Sequence, residues 1–249
     1  MVSETSSAHL AAAISVQDCA LFLDFDGTLA ALQDDPDTVA LPSGGADVLA
    51  ALKTTLSGAL VLISGRDIRD LSVRIPGGII RAGGHGLEIC LPGEAPTADR
   101  HSFDPGLKAS VECAIAPHAG VRIEDKGPVL AVHFRQNPDA EADLLKALQA
   151  LVADRPEYKA QHGKMVIELK PIHANKGIAL ASLMQSSPFS GRMPIMVGDD
   201  TTDEDAMRTA TDLGGFGVKV GEGETCAKFR LRDPDAVWDL SEPQLCHFQ

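Results

Sequence analysis

The stretch "LFLDFDGTLA", residues 21–30, decides the fold. It opens as an apolar run and turns polar at Asp24, with a second carboxylate at Asp26 and then Gly27 and Thr28. Continuous rather than alternating apolar character is what a parallel strand covered on both faces requires. The same run followed by a polar or glycine-rich turn recurs as "ALVLISG" (59–65), "GIIRAGG" (78–84), "PIMVGDD" (194–200) and "GFGVKVG" (215–221). Amphipathic helical patterns lie between these runs, at 43–56, 67–74, 176–186 and 202–210. Strands alternating with helices predict an α/β fold with a doubly wound parallel sheet.

The middle of the chain has a different rhythm. Residues 105–117 read as helix, and "VRIEDKGPVLAVHFR" (121–135) reads as two antiparallel strands around a Gly127-Pro128 turn, with Arg135 ending the second. A charged amphipathic helix at 139–153 and two extended runs at 157–169 follow. This predicts an α+β module at 104–169 inserted between two parts of one core, 1–103 and 170–249.

Composition narrows the function classes. The 249 residues are 44% hydrophobic and 23% charged, as in a globular protein, and the net charge is −13. No Lys/Arg cluster offsets that charge locally, which argues against nucleic acid as a partner. The N-terminal "MVSETSSAHLAAAIS" lacks a basic segment, so a cleaved signal is not expected, and no run is long enough to span a membrane. Five scattered cysteines (Cys19, Cys90, Cys113, Cys226 and Cys246) suggest neither a disulfide framework nor a zinc pair and fit a reducing cytoplasm.

Ligands of an open α/β sheet bind at the carboxyl ends of the strands. There the sequence places Asp24, Asp26, Gly27 and Thr28; then Ser64, Gly65 and Arg66; then Asp199, Asp200 and, one turn later, Asp203. "NKG" at 175–177 puts Lys176 at a helix start. Each alone is an ordinary turn, cap or surface residue. Together they describe a combined metal and anion site. A hard cation such as Mg²⁺ binds through one or two carboxylates plus substrate phosphate. Without it the acidic positions would repel a phosphate ester. Ser64, Lys176 and backbone N–H groups around Gly27 can take the remaining phosphate oxygens. A carboxylate beside phosphorus can act as a covalent nucleophile, and a second one nearby can protonate the leaving oxygen.

In order and placement, Asp24-Phe25-Asp26-Gly27-Thr28, Ser64, Lys176 and Gly198-Asp199-Asp200-x-x-Asp203 resemble the four motifs of the haloacid-dehalogenase-like phosphotransferases. The insert falls where that superfamily carries a type C2 cap. "LISGRD", "AGGHGLEI", "IEDKGPVLAVHFR", "GKMVIELKP", "NKGIAL" and "GDDTTDEDAM" look like trehalose-6-phosphate phosphatases over about 18–220, with Met207 and Lys170 as departures. The resemblance implies Mg²⁺ dependence, with Asp24 as nucleophile and metal ligand. It makes Asp26 the acid/base, giving its carbonyl to the metal. Asp199 is implied as a ligand, Asp200 is grouped with it, and Asp203 is placed behind them. Ser64 and Lys176 hold the phosphoryl group, with Gly27, Gly65 and Arg66 as further substrate contacts. Glu124, Lys126, Arg135 and Glu168 are implied to read the sugar, while His85 and His133 have either a cleft-lining or a structural role. A cytoplasmic monomer acting on a small sugar phosphate is expected. Alternatives are a capped phosphatase for sucrose 6-phosphate or mannosyl-3-phosphoglycerate, a phosphomutase, or a non-catalytic sugar-phosphate sensor.

Overall fold

The computed structural model describes residues 19–33, 35–97, 102–163 and 165–245. The N-terminal stretch read for a signal and Cys246 lie outside the described residues. Of the cysteines inside, Cys19 and Cys90 are buried, and Cys113 and Cys226 are exposed. Among the described residues no helix is long and apolar enough to cross a membrane.

The chain divides into two compact units. One takes the described residues up to Pro96 and from Asn175 onward, and the other those within Thr97–Ala174. In the first, β1 (Cys19–Leu23), β2 (Leu60–Ile63), β3 (Ile80–Gly83) and β4 (Glu88–Cys90) precede the second unit in the chain. β9 (Met193–Gly198), β10 (Phe216–Val220) and β11 (Phe229–Leu231) follow it. They form one sheet in the order β11-β10-β9-β1-β2-β3-β4, parallel throughout except for the antiparallel β3–β4 edge. Every residue of β1 and β2 is buried, as their unbroken apolar sequences require of central strands. The helices Gly45–Thr55, Ile68–Arg74, Lys176–Leu183 and Thr201–Asp212 connect them, close to the ranges read from periodicity.

Three elements escaped the sequence reading. β4 and β11 are three residues long, too short for a periodic signal. The third is the helix Pro234–Leu245. Its Trp238 indole N–H donates to the Leu29 carbonyl at 2.9 Å and so closes over the loop that follows β1.

The inserted unit is a four-stranded antiparallel sheet. It orders β5 (Arg122–Asp125), β6 (Leu130–His133), β8 (Val166–Pro171) and β7 (Tyr158–Gly163) as β5-β6-β8-β7. Helices Pro105–Ile115 and Glu141–Val152 share its core through Leu107, Val111, Leu144 and Leu148, which meet Leu130, Val132, Ile167 and Leu169. Its bounds are wider than 104–169. Phe103 packs edge-on against Tyr158 at 5.2 Å, and β8 stays paired out to Tyr158–Pro171. β6 ends at His133, so Arg135 lies in the turn beyond it and is exposed, not at the strand end. The Phe134 and Asn137 N–H groups turn the backbone there, donating to the Met165 and Phe134 carbonyls.

Candidate active site

Adjacent parallel strands bring their polar ends to one edge of the sheet. Asp24 follows β1 and its N–H donates to the Val197 carbonyl at 3.0 Å, tying it to neighbouring β9, whose end carries Asp199. Phe25, fully buried, anchors the loop between Asp24 and Asp26. The Leu29 and Ala30 N–H groups close the turn onto the Phe25 carbonyl at 3.0 and 2.9 Å. Gly27 has φ +75°, a left-handed conformation natural to glycine, and a methyl group there would collide with the Asp199 carboxylate.

Lys176 is the hub. Asn175 caps its helix by accepting the Gly177 and Ile178 N–H groups at 2.8 and 3.1 Å, and its amide donates to Asp205 at 2.7 Å. Held there, Lys176 Nζ donates to Asp24 Oδ1 and Asp203 Oδ1, each at 2.6 Å, with all three side chains buried. Asp203 accepts the Asp200 N–H at 3.0 Å with its other oxygen, so both of its oxygens are engaged. Burial and the neighbouring Asp203 push Asp24 well above the usual carboxylate range, against the pull of Lys176. Burial, Asp203 and Asp200 push Asp199 up to about 7. Lys176 is held firmly protonated by Asp203 and Asp24, although burial opposes its charge.

Carboxylate oxygens of Asp24, Asp199 and Asp203 lie within 4.8 Å of one another, a group that could hold a metal ion. The fit is chemical as well. Asp199 Oδ1 is buried with no hydrogen-bond partner, a carboxylate oxygen that a hard cation would satisfy. Asp26 and Asp200, grouped with the ligands in sequence, do not bring carboxylates into this cluster. The Asp26 carboxylate is taken by Arg66 at 2.7 and 2.6 Å. Buried Lys219, on β10, was not read from sequence; its ammonium donates to the Asp199 carbonyl. An isolated lysine in an apolar strand carries no signal of such a role.

Ser64 is buried at the end of β2, and its hydroxyl accepts the Arg66 N–H at 3.1 Å. The turn at 83–86 holds this loop by donating the Gly84 N–H to the Arg66 carbonyl and the His85 N–H to the Ser64 carbonyl, at 2.7 and 2.9 Å. The His85 ring sits so close over Gly65 that any Cβ there would come within 2.7 Å of it, which accounts for the glycine. The Thr28 hydroxyl, four residues after Asp24 in the chain, is buried without a protein partner.

In the inserted unit, pairing puts Glu124, Ala131, Glu168 and Gln161 in one row on one face of the sheet. Lys126 Nζ is 3.4 Å from Glu168 and 3.9 Å from Glu124, His133 bonds Glu124 at 2.8 Å, and Lys170 is 3.5 Å from Glu168. The His133 bond holds Glu124 below its ordinary range. Gln161, missed in the sequence, has a buried amide oxygen without a hydrogen bond in this row.

This sheet order, with acidic strand ends and a buried lysine, is the haloacid-dehalogenase-like fold. A Bacteroides thetaiotaomicron protein so described shares the fold at TM-score 0.61 and 17% identity, covering 92% of this chain and 98% of that one. The model of the family described as trehalose-phosphatase matches residues 22–235, and the chain belongs to that family of phosphatases. It is 42% identical over 206 residues to a probable trehalose-phosphate phosphatase of Sinorhizobium fredii, covering 81% of this chain and 77% of the relative. It is 37% identical over 234 residues to the trehalose-6-phosphate phosphatase of Escherichia coli, covering 90% and 85%. The C-terminal domain of the Candida albicans trehalose-6-phosphate phosphatase matches in fold, with TM-score 0.86, 21% identity and coverage of 99% and 98%.

Proposed function

We propose that this protein hydrolyses trehalose 6-phosphate to trehalose and phosphate, with Asp24 as nucleophile. The observation that carries this reading is the buried Asp24–Lys176–Asp203 triad at the strand ends, beside the unsatisfied Asp199, in a chain of the trehalose-phosphatase family.

Asp24 attacks phosphorus and forms an acyl phosphate while the bond from phosphorus to the sugar oxygen breaks. Asp26 gives that oxygen its proton. Water then attacks phosphorus, Asp26 takes the water's proton, and phosphate leaves as the Asp24 carboxylate is restored. Lys176 orients Asp24 and offsets phosphoryl charge, and Ser64 and Thr28 offer hydroxyl donors to phosphate oxygens. The Asp24 and Asp199 carboxylates with the Asp26 carbonyl would hold Mg²⁺, supported by Asp203, which accepts from Lys176 and from the Asp200 N–H. When bound, the ion neutralises the acidic cluster and polarises the phosphoryl oxygens.

Glu124, Lys126, Glu168 and Arg135 select the sugar, because a disaccharide offers hydroxyls best read by charged and amide groups. The polar row on the inserted sheet supports this and adds His133 and Gln161 to the set. One chain carries every residue invoked, so a monomer suffices, and the scattered cysteines fit the cytoplasm. Phosphate release from trehalose 6-phosphate, with and without Mg²⁺ and beside other sugar phosphates, tests the proposal. Equal turnover of sucrose 6-phosphate, or none of trehalose 6-phosphate, would reject it.

A further inference from the structure

Motif order alone grouped Arg66 with the residues that grip the phosphate. Its side chain is turned elsewhere. Nε donates to Asp26 Oδ2 at 2.7 Å and Nη2 to Asp26 Oδ1 at 2.6 Å, a two-point clamp on one carboxylate. Nη2 also donates to the Pro36 carbonyl at 2.9 Å, and Nη1 to Asp70 Oδ2 at 2.7 Å. All but one of its N–H donors are thereby committed to protein acceptors. The guanidinium also rests on the Phe25 ring, 5.6 Å from its centroid.

The clamp is itself braced. Asp70 accepts Arg74 Nη2 at 2.7 Å, and Arg74 Nη1 reaches the Val39 carbonyl at 2.5 Å. The chain Asp26–Arg66–Asp70–Arg74 thus links the loop after β1, the helix Ile68–Arg74 and the segment 36–39. Arg66 is only 11% exposed in this network, and the Asp26 carboxylate 29%. A planar fork matched to two carboxylate oxygens fixes rotation as well as position, which a lysine point charge cannot do. Each oxygen keeps a second lone pair for a substrate proton.

We propose that Arg66 is a positioning residue that orients the Asp26 carboxylate for proton transfer, and not a ligand of the substrate phosphate. This rests on the reading of Asp26 as acid/base given above.

The test is a double-mutant cycle of wild type, Arg66→Ala, Asp26→Asn and the double variant. It reads kcat and KM for trehalose 6-phosphate and inhibition by inorganic phosphate, with folding checked by circular dichroism. Arg66→Ala should lower kcat about 10- to 100-fold, as misaligned catalytic groups do. It should leave the phosphate inhibition constant within about twofold and cost nothing further in the Asp26→Asn background, because residues that act as one unit are not additive. A tenfold weaker phosphate inhibition, or an undiminished loss in the Asp26→Asn background, would overturn the assignment while leaving the acid/base reading intact. An Asp26→Asn variant as fast as wild type would overturn both. If Arg66→Ala does not fold, Arg66→Lys enters the same cycle under the same criteria.

Discussion

Lys176 Nζ sits 2.6 Å from Asp24 Oδ1, although 152 residues separate the two in the chain. The ammonium is shared with Asp203, so one buried cation serves two buried carboxylates. Removing it strands those charges. Loss of one partner of a buried ion pair costs about 3–5 kcal/mol. Lys176→Met should therefore unfold earlier in urea by that amount and lose nearly all turnover. Added Mg²⁺ should recover part of the stability and none of the rate. A variant as stable as wild type in the absence of metal would show that the triad is not a cohesive element.

Asp199 contributes a pH dependence to the site. Burial, Asp203 and Asp200 raise it from its ordinary 3.8 to about 7. Between those values the folded chain holds a proton that the unfolded chain has released. Metal-free stability therefore falls as pH rises through that window. A divalent ion must displace the same proton, so its binding strengthens with pH. The rise in melting temperature on adding Mg²⁺ should be larger at about pH 8 than at about pH 6. An equal rise at both would mean that Asp199 is already ionised throughout.

Gly27 ties the loop after β1 to Asp199. Its left-handed backbone and its contact with that carboxylate both exclude a side chain. Gly27→Ala should weaken the Mg²⁺ response in thermal unfolding and lower kcat by about tenfold or more, as small misplacements in active sites do. Its far-UV circular dichroism should match wild type. Unchanged metal response and rate would show that the loop moves without consequence.

Much of this was legible in the chain itself. β1 and β2 announced central strands because both their faces are buried, and a short unbroken apolar run ending in a polar turn fits that position. The places of Asp24, Ser64 and Asp199 after apolar runs, and of Lys176 at a helix start, were readable, since strand ends are where such sheets work. Other features were not. Short edge strands such as β4 leave no periodicity, and the inserted unit starts before residue 104 because Phe103 belongs to its core through tertiary contact alone. The direction of the Arg66 side chain depends on Asp26 and Asp70 meeting it in space. Gln161 became visible only when strand register set it opposite Glu168.

Substrate choice should be separable from chemistry. Lys126 and Glu168 are paired at 3.4 Å in the inserted unit, and the proposed phosphoryl machinery lies in the other. Hydrogen bonds to charged groups are worth about 1.5–3 kcal/mol. Lys126→Ala or Glu168→Ala should then lower kcat/KM for trehalose 6-phosphate about 10- to 100-fold. Turnover of p-nitrophenyl phosphate should stay near wild type. Parallel loss on both substrates would assign these residues to the catalytic machinery or to the fold.

Asp24 as a covalent nucleophile is the central claim, and rapid acid quench tests it most directly. Enzyme mixed with trehalose 6-phosphate carrying a radiolabelled phosphoryl group should show protein-bound label within the first turnover. Peptide mapping should place that label on Asp24, and the label should decay as phosphate appears. Asp24→Asn should acquire none and release no phosphate. Label on another residue, or wild-type phosphate release from a folded Asp24→Asn protein, would contradict the account.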